Sequence, residues 1–155
     1  MQAAGYTITE AALDVVAAGT GGYPFLVQLV GYWVCRVAGS GPEPRIDETT
    51  AAAGVQAARR RLGSLVHEPA LRDLSAVDRT FLSTMALDDG PSRMAQIAER
   101  MKVTANYASQ YRRRLIAADL IYPTTYGSVD FTLPHLREYL REHAASTDLE
   151  PEEPR

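Results

Sequence analysis

The sequence predicts a mainly α-helical protein with two folded parts. Residues 1–68 are expected to form a small helical bundle, residues 69–143 a winged helix-turn-helix domain with a short β-hairpin wing, and residues 144–155 a disordered acidic tail. Three observations lead to this prediction. Apolar residues recur at helical spacing, residues 92–120 carry a helix-turn-helix pattern, and two short alternating stretches separated by a glycine follow it.

The first part begins with two predicted helices. Thr7 and Glu10 have the spacing of a capping box, and Gly19 is expected to end the helix that they begin. Pro24 occupies the first position of a strongly apolar helix that stops at Gly39. Because this second helix is apolar nearly all round, we expect it to be packed on several sides.

A third helix follows a flexible break at residues 39–44, is capped by Asp47 and is expected to end near His67. Three helices are too few to bury all of the apolar surface in this part. The bundle therefore either packs on the second part or exposes a surface that a missing neighbouring domain would cover.

The second part begins after an expected interruption of the helical pattern at Pro69. Ser75 and Asp78 resemble a capping box and begin a supporting helix. The first helix of the helix-turn-helix is expected to have Ser92 as its N-cap and to end at Met101.

The second helix of the motif is predicted over residues 105–118, with Thr104 as its N-cap. Ala108, Tyr111 and Leu115 recur at helical spacing, so they should form its buried face. The opposite face is then left to solvent.

A wing should follow this helix. Apolar alternation predicts short strands at residues 120–122 and 128–133, with a polar turn at residues 124–127. Pro134 then opens a last helix that runs to about His143.

The exposed face of the second helix has the chemistry of a DNA-binding surface. Asn and Gln pair with adenine edges, Arg pairs with guanine, and Ser, Thr and Lys contact phosphates. Residues 92–120 hold six Lys or Arg against two Asp or Glu, about +4, whereas the whole chain carries −3. The predicted recognition face is Asn106, Tyr107, Gln110, Arg113 and Arg114. The predicted phosphate contacts are Lys102, Thr104 and Arg112, and Thr124, Thr125 and Tyr126 of the wing lie beside the same surface.

A second function remains open from the residues alone. The winged helix could instead dock on a protein and serve as an interaction or autoinhibitory module. Its tyrosines suit either a protein or the DNA backbone. The acidic overall charge favours the interaction module, whereas the basic run at residues 112–114 favours DNA. A free-standing transcription regulator fits less well, because the helix after Pro24 has no role in one.

The segment GTGGYPFLVQLVGYWV resembles the lid subdomain of P-loop ATPases of the AAA-like and STAND classes. In such a lid-like bundle a Gly-x-Pro turn, here Gly22, Tyr23 and Pro24, begins a helix near the bound nucleotide. The residues that follow are similar to the C-terminal half of bacterial ATP-binding proteins and archaeal replication initiators of this kind. The resemblance covers residues 7–143.

The chain departs from those ATPases in two respects. It has no G-x-x-x-x-G-K-[ST] phosphate-binding loop, and it has no strand that ends in paired acidic residues for magnesium. The resemblance therefore implies the C-terminal piece of a longer ATPase, with no enzyme activity and no cofactor of its own. ATP or ADP with Mg²⁺ is expected only on the missing N-terminal ATPase domain. That domain and double-stranded DNA are the expected partners.

Other chemistry is not indicated. Cys35 is the single cysteine, so no disulfide framework can form within the chain, which fits a cytoplasmic protein. His67, His135 and His143 lack metal-ligand spacing, and no apolar run reaches the length of a membrane span. We expect no catalytic residue, no metal site and no contact with a membrane.

Overall fold

The computed structural model describes residues 5–39 and 43–147, with side chains described as far as residue 144. It is mainly helical, as predicted. The chain divides into two compact units, Met1–Ser64 and Leu65–Arg155, whereas the sequence placed the boundary at residues 68/69.

The described part of the first unit contains helices and one short pair of strands. In chain order these are β1 (Thr7–Ile8), α1 (Glu10–Thr20), α2 (Pro24–Ala38), β2 (Arg45–Ile46) and α3 (Glu48–Leu62). β1 and β2 pair in parallel, with Thr7 beside Arg45. The sequence did not predict this pair, because two residues are too few to show alternation. Residues 40–42 of the expected flexible break lie outside the described residues.

The predicted capping box of α1 is wrong by two residues. Thr9 is the N-cap, and its side-chain oxygen accepts a hydrogen bond from the Ala12 N–H at 3.2 Å. Thr7 instead lies in β1, where its N–H donates to the Pro44 carbonyl. Pairing with a distant strand therefore displaced the local cap.

The predicted end of α1 is also wrong. The helix continues through Gly19, and Gly21, in the left-handed conformation at φ 54°, is its C-cap. Gly19 is buried, and a Cβ there would lie 2.8 Å from both methyl carbons of Val55. Gly19 is therefore needed for the close approach of α1 to α3 and does not terminate the helix.

The other predicted helix signals of the first unit are confirmed. Pro24 is the first residue of α2, and Gly39 is its C-cap. Asp47 Oδ1 accepts the Thr50 N–H at 2.8 Å and so caps α3. These signals act within one turn of helix, so the sequence alone specifies them.

The core of the first unit lies between its three helices and β2. Its buried residues are Ala12, Val30, Val34, Ile46, Ala51, Val55 and Ala58. α2 does not bury its whole circumference, because Phe25, Val27 and Tyr32 remain 54%, 53% and 55% exposed. α2 thus packs on α1, α3 and β2, as expected, and leaves one apolar side exposed.

The helical backbone does not break at Pro69, contrary to the prediction. A π-helical turn at Gly63–His67 follows α3 directly, and α4 (Glu68–Arg72) follows that turn. Pro69 lies in the first turn of α4, where a missing N–H costs least.

The second unit has the element order of a winged helix. After α4 it contains α5 (Ala76–Met85), β3 (Ser92–Arg93), α6 (Met94–Met101), α7 (Ala105–Ala117), β4 (Ile121–Pro123), β5 (Ser128–Phe131) and α8 (Leu136–Thr147). The predicted hairpin is present as β4 and β5, which pair antiparallel. β3 joins the other edge of β5, and this third strand was not predicted.

β3 changes the role of Ser92, which was predicted to cap α6. Arg93 is the N-cap residue and makes no side-chain capping bond. Ser92 is buried in β3, and its hydroxyl donates to Asp88 Oδ2 at 2.6 Å. The prediction failed because the strand partner of Ser92 lies far along the chain, at Val129.

The last helix differs from its prediction at both ends. α8 begins at Leu136, after His135 with its positive φ of 59°, and not at Pro134. It continues beyond His143 to Thr147, so the predicted disordered tail is helical over residues 144–147. Residues 148–155 of that tail lie outside the described residues.

The core of the second unit packs α5, α6, α7 and α8 on the small sheet. Its larger buried members are Phe81, Leu82, Met85, Ile97, Leu115, Leu120, Ile121, Val129, Phe131 and Leu136. The capping box of α5 is confirmed: Asp78 N–H donates to Ser75 Oγ at 3.2 Å, and Ser75 N–H donates to Asp78 Oδ2 at 3.2 Å.

His67 is a buried histidine of the second unit. It is 1% exposed, its Nε2 lies 2.8 Å from the Pro134 carbonyl oxygen, and its ring centroid is 5.0 Å from that of Tyr139. Because a carbonyl only accepts, Nε2 carries the proton and donates. Burial is the main cause that lowers the pKa of His67 from its ordinary value of 6.5.

This burial predicts a loss of stability in mild acid. In the unfolded chain the His67 imidazole binds a proton near pH 6.5, whereas in the folded unit it binds one only at lower pH. Neutral His67 therefore contributes fully to the free energy of unfolding above pH 6.5, and this contribution is lost as the pH falls through the lowered pKa. The slope is at most about 1.4 kcal/mol per pH unit. Urea unfolding at pH 7.5 and 5.5 should show a smaller pH effect in His67→Gln, which keeps an N–H for Pro134. Equal pH effects in the two proteins would contradict this account.

Candidate nucleic-acid interface

α6 and α7 are joined by the predicted three-residue turn, Lys102–Thr104. Lys102 adopts the left-handed conformation at φ 56°, and the Val103 N–H donates to the Ala98 carbonyl at 3.0 Å. Thr104 Oγ1 accepts the Tyr107 N–H at 3.2 Å, so the predicted N-cap of α7 is confirmed. The turn thereby fixes the direction of α7 relative to α6.

The buried face of α7 is the predicted one. Ala108 is fully buried and Leu115 is 1% exposed, while the half-buried Tyr111 packs on the core. The side chains of Asn106, Tyr107, Gln110 and Arg113 are exposed, and Arg112 is half-buried. Helical rotation thus places most of the predicted recognition residues in solvent.

Arg114 is exposed but engaged with the protein. Its Nη2 lies 2.9 Å from Oδ2 of the buried Asp78, and its guanidinium carbon lies 5.4 Å from the centroid of the Tyr111 ring. Arg114 therefore ties α7 to the capping box of α5. The sequence grouped Arg114 with Arg113, because the position of Asp78 depends on the packing of two helices.

Tyr107 and Tyr111 form a linked pair on α7. Their hydroxyl oxygens are 3.2 Å apart and their ring centroids 5.1 Å apart. The hydrogen bond with Tyr107 is the main cause that raises the pKa of Tyr111. Because Tyr107 is exposed, the pair presents a hydroxyl group at the surface.

Two of the three wing residues that the sequence predicted to lie beside the DNA-binding surface are exposed to solvent. Tyr126 is fully exposed and Thr125 is exposed, with Gly127 at φ 77° closing the turn behind them. The Thr124 side-chain oxygen is buried and has no hydrogen-bond partner among the described residues. The prediction that Thr124 contacts DNA with its side chain is therefore not supported by its position.

Arg93 is a basic residue that the predicted site omitted. It is exposed, lies in β3 opposite Ser128 of β5, and so stands next to the wing. The sequence did contain one indication that Arg93 belongs to the site, because Arg93 lies directly before α6 in a basic segment. Recognising its place beside the wing requires the β3–β5 pairing.

Ion pairs separate the arginines of this unit into two groups. Arg100, Arg114, Arg137 and Arg141 pair with Asp88, Asp78, Asp130 and Asp89, respectively. Among the described residues, no ion pair involves Arg93, Lys102, Arg112 or Arg113. The positive charges around α7 and the wing are therefore not paired with any carboxylate of the described residues.

The predicted nucleotide-proximal residues lie at the start of α2. Gly22 has a positive φ of 78°, Tyr23 is 45% exposed, and Pro24 begins the helix. No three His, Cys, Asp or Glu side chains in the described ranges are grouped so that they could hold a metal ion. None of the helices in the described residues is long and apolar enough to cross a membrane.

Residues 64–140 are similar to a protein family described as a domain of unknown function (DUF8462). The matched segment includes the whole helix-turn-helix and the wing, and it leaves α1, α2 and α3 outside. No curated protein and no solved structure matches the chain.

Proposed function

We propose that the second unit binds double-stranded DNA as a winged helix, with α7 in the major groove. The observation that carries the proposal is the contrast between its arginines: four are paired inside the unit, whereas Arg112 and Arg113 are not paired among the described residues. A surface that leaves such charges unpaired next to exposed amide side chains suits the DNA backbone and base edges.

Each exposed residue has a role that follows from its position on α7. Asn106, Gln110 and Arg113 are spaced at four and three residues, so they lie on one helical face and would reach base edges together. Lys102 and Arg112 flank that face and suit phosphates. Thr104 Oγ1 accepts a backbone N–H, and its own hydroxyl proton remains available for a phosphate oxygen.

The wing would contact the DNA backbone beside the groove. Tyr126 and Thr125 supply hydroxyl donors, and Arg93 adds a positive charge next to them. We place this activity in the cytoplasm, the compartment that the sequence predicts.

Two substitutions test the proposal without disturbing the core. Arg113→Ala and Lys102→Gly should each weaken binding. Lys102→Gly, which removes a phosphate contact, should also reduce the slope of log K against log salt by about 0.9, whereas Arg113→Ala should mainly reduce the preference for one duplex sequence over another. Lys102→Gly should also stabilise the unit by about 0.5–1 kcal/mol, because glycine relieves the left-handed strain at φ 56°. Fluorescence anisotropy with a labelled duplex at low salt and thermal melting measure the two effects.

The matched control is Arg72→Ala, which removes an exposed arginine of α4 far in sequence from the motif. It should leave the affinity within about twofold. No binding of any duplex at low salt, or an equal loss in Arg72→Ala, would remove the proposal.

A protein-interaction or autoinhibitory module is the second candidate. The exposed aromatic groups favour it, because tyrosine is enriched in protein interfaces. Tyr107 is 39% exposed and Tyr126 is fully exposed, and both lie on the surface that would contact DNA. If duplexes do not bind, Arg113→Ala should instead alter the activity of the parent protein to which this module belongs.

We further propose, from the resemblance of α2 and its preceding turn, that this chain works with an ATPase domain. Gly22, Tyr23 and Pro24 would then lie near ATP or ADP and Mg²⁺ held by that domain. A P-loop encoded upstream in the same gene would support this proposal, and a complete gene without one would remove it.

A further inference from the structure

Arginines and aromatic side chains alternate on one surface of the first unit. We call this surface the Arg–aromatic strip. It consists of Tyr6, Tyr32, Trp33, Arg36, Arg60 and Arg61. It lies outside the segment that matches the domain of unknown function, and it is not used in the function proposed above.

The centre of the strip is a cluster on α2. The Tyr32 and Trp33 rings meet edge to face, with centroids 5.6 Å apart and an interplanar angle of 86°. The guanidinium carbon of Arg36 lies 5.8 Å from each ring centroid, and its Nη1 donates to the Tyr32 hydroxyl at 3.2 Å. Arg36 is therefore held in place while its remaining donors stay available.

Two grooves extend from this cluster. One, of about 400 Å³, is lined by Tyr6, Tyr32, Cys35, Arg36 and Gly39. The other, of about 250 Å³, is lined by Trp33, Ala57, Arg60, Arg61 and Ser64. No acidic residue is among the described residues that line them, and within those residues no ion pair involves the three arginines.

We propose that the Arg–aromatic strip binds single-stranded nucleic acid. Bases stack on the exposed ring of Tyr32 and on the part of the half-buried Trp33 ring that lines a groove, while phosphates lie against Arg36, Arg60 and Arg61. A duplex hides the faces of its bases, so it cannot use the aromatic groups. An acidic peptide would use the guanidinium groups but would gain little from the aromatic rings between them.

Trp33 is the single tryptophan of the chain, so its fluorescence reports directly on this surface. Titration of the whole chain with an oligothymidylate of about twelve nucleotides should quench that fluorescence saturably at low salt. A duplex of equal length should compete at least about tenfold more weakly. Arg113→Ala should leave the quenching unchanged, which separates this surface from the helix-turn-helix.

The variant Arg60→Gln with Arg61→Gln should weaken oligothymidylate binding about tenfold and reduce the salt slope by about 1.4. The control Arg45→Gln with Arg72→Gln removes the same charge from two exposed arginines that line neither groove, and it should change affinity less than twofold. Tyr32→Ala, followed with a labelled oligonucleotide, should weaken binding about fivefold or more through lost stacking.

Four results would overturn the proposal. They are the absence of quenching at low salt, equal weakening in the two double variants, loss of quenching in Arg113→Ala, and competition by an oligoglutamate peptide as effective as that of the oligonucleotide. The last result would identify an acidic protein segment as the partner. Duplex binding by the second unit is measured separately, so failure of either proposal is recognised independently of the other.

Discussion

Replacing Gly54 with alanine is expected to lower the free energy of unfolding of the first unit by about 2 kcal/mol. A Cβ at this position would lie 2.5 Å from Val34 Cα and 2.8 Å from Val34 N, so α3 would have to move away from the backbone of α2. The overpacking costs about 3 kcal/mol, and the higher helix propensity of alanine recovers about 1 kcal/mol. Urea unfolding of the whole chain, followed by Trp33 fluorescence, measures the difference.

Gly31 is the matched control for this substitution. It also lies within a helix of the first unit, but an added Cβ would meet no atom within 4 Å. Gly31→Ala should therefore stabilise the unit by about 0.5–1 kcal/mol, since only helix propensity and unfolded-state entropy change. If the two substitutions change the free energy of unfolding in opposite directions, the close contact between α2 and α3 at Gly54 governs stability, and the glycine content of the helices does not. Destabilisation by both would contradict the argument.

Replacing Asp88 with alanine should destabilise the second unit by about 2–3 kcal/mol. Asp88 accepts Arg100 Nη2 at 2.6 Å and Nη1 at 2.8 Å, and it accepts the hydroxyl of the buried Ser92 at 2.6 Å. These bonds connect the end of α5 to β3 and α6. Their loss leaves a half-buried guanidinium and a buried hydroxyl without their main acceptor.

Acid should weaken the same contacts. The Arg100 hydrogen bonds are the main cause that lowers the pKa of Asp88 below its ordinary 3.8. A carboxylate with a lowered pKa stabilises the fold fully above that ordinary value, and this contribution is lost as the pH falls through the lowered pKa.

The neighbouring Asp89 is the control for Asp88. Its side chain is 96% exposed and pairs with Arg141 at 2.9 Å in solvent, so Asp89→Ala should change stability by less than about 1 kcal/mol. Amide hydrogen exchange along α6 and α7 distinguishes the two variants, because only Asp88→Ala should accelerate it. Similar acceleration in both would show that the Asp88 ion pair does not hold the helix-turn-helix.

The arginines of the second unit differ in whether they form ion pairs, and this difference underlies both the DNA-binding surface and the effect expected at Asp88. The basic segment of the sequence contains Arg100 and Arg114 as well as Arg112 and Arg113, and nothing local distinguishes them. Folding brings Asp88 and Asp78 to the first two residues, and leaves the other two without ion pairs among the described residues. The first two arginines pair with carboxylates within the unit, and we propose that the other two contact DNA.

The sequence by itself determined the features that depend on neighbouring residues. These include the Asp47 and Thr104 caps, the Ser75–Asp78 capping box, and the buried face of α7. A cap satisfies backbone N–H groups within one turn, and helical rotation decides which side chains share a face. Neither requires knowledge of a distant partner, so both could be predicted.

Only the tertiary structure decided the features that need a partner elsewhere in the chain. β3 exists because Ser92 pairs with Val129, and this pairing made Ser92 a buried strand residue instead of a helix cap. Gly19 lies inside α1, where the close approach of Val55 requires a residue without a side chain, although the same residue type commonly ends helices. The partner in such a contact lies at no fixed spacing along the chain. The contact therefore leaves no periodic signal in the sequence.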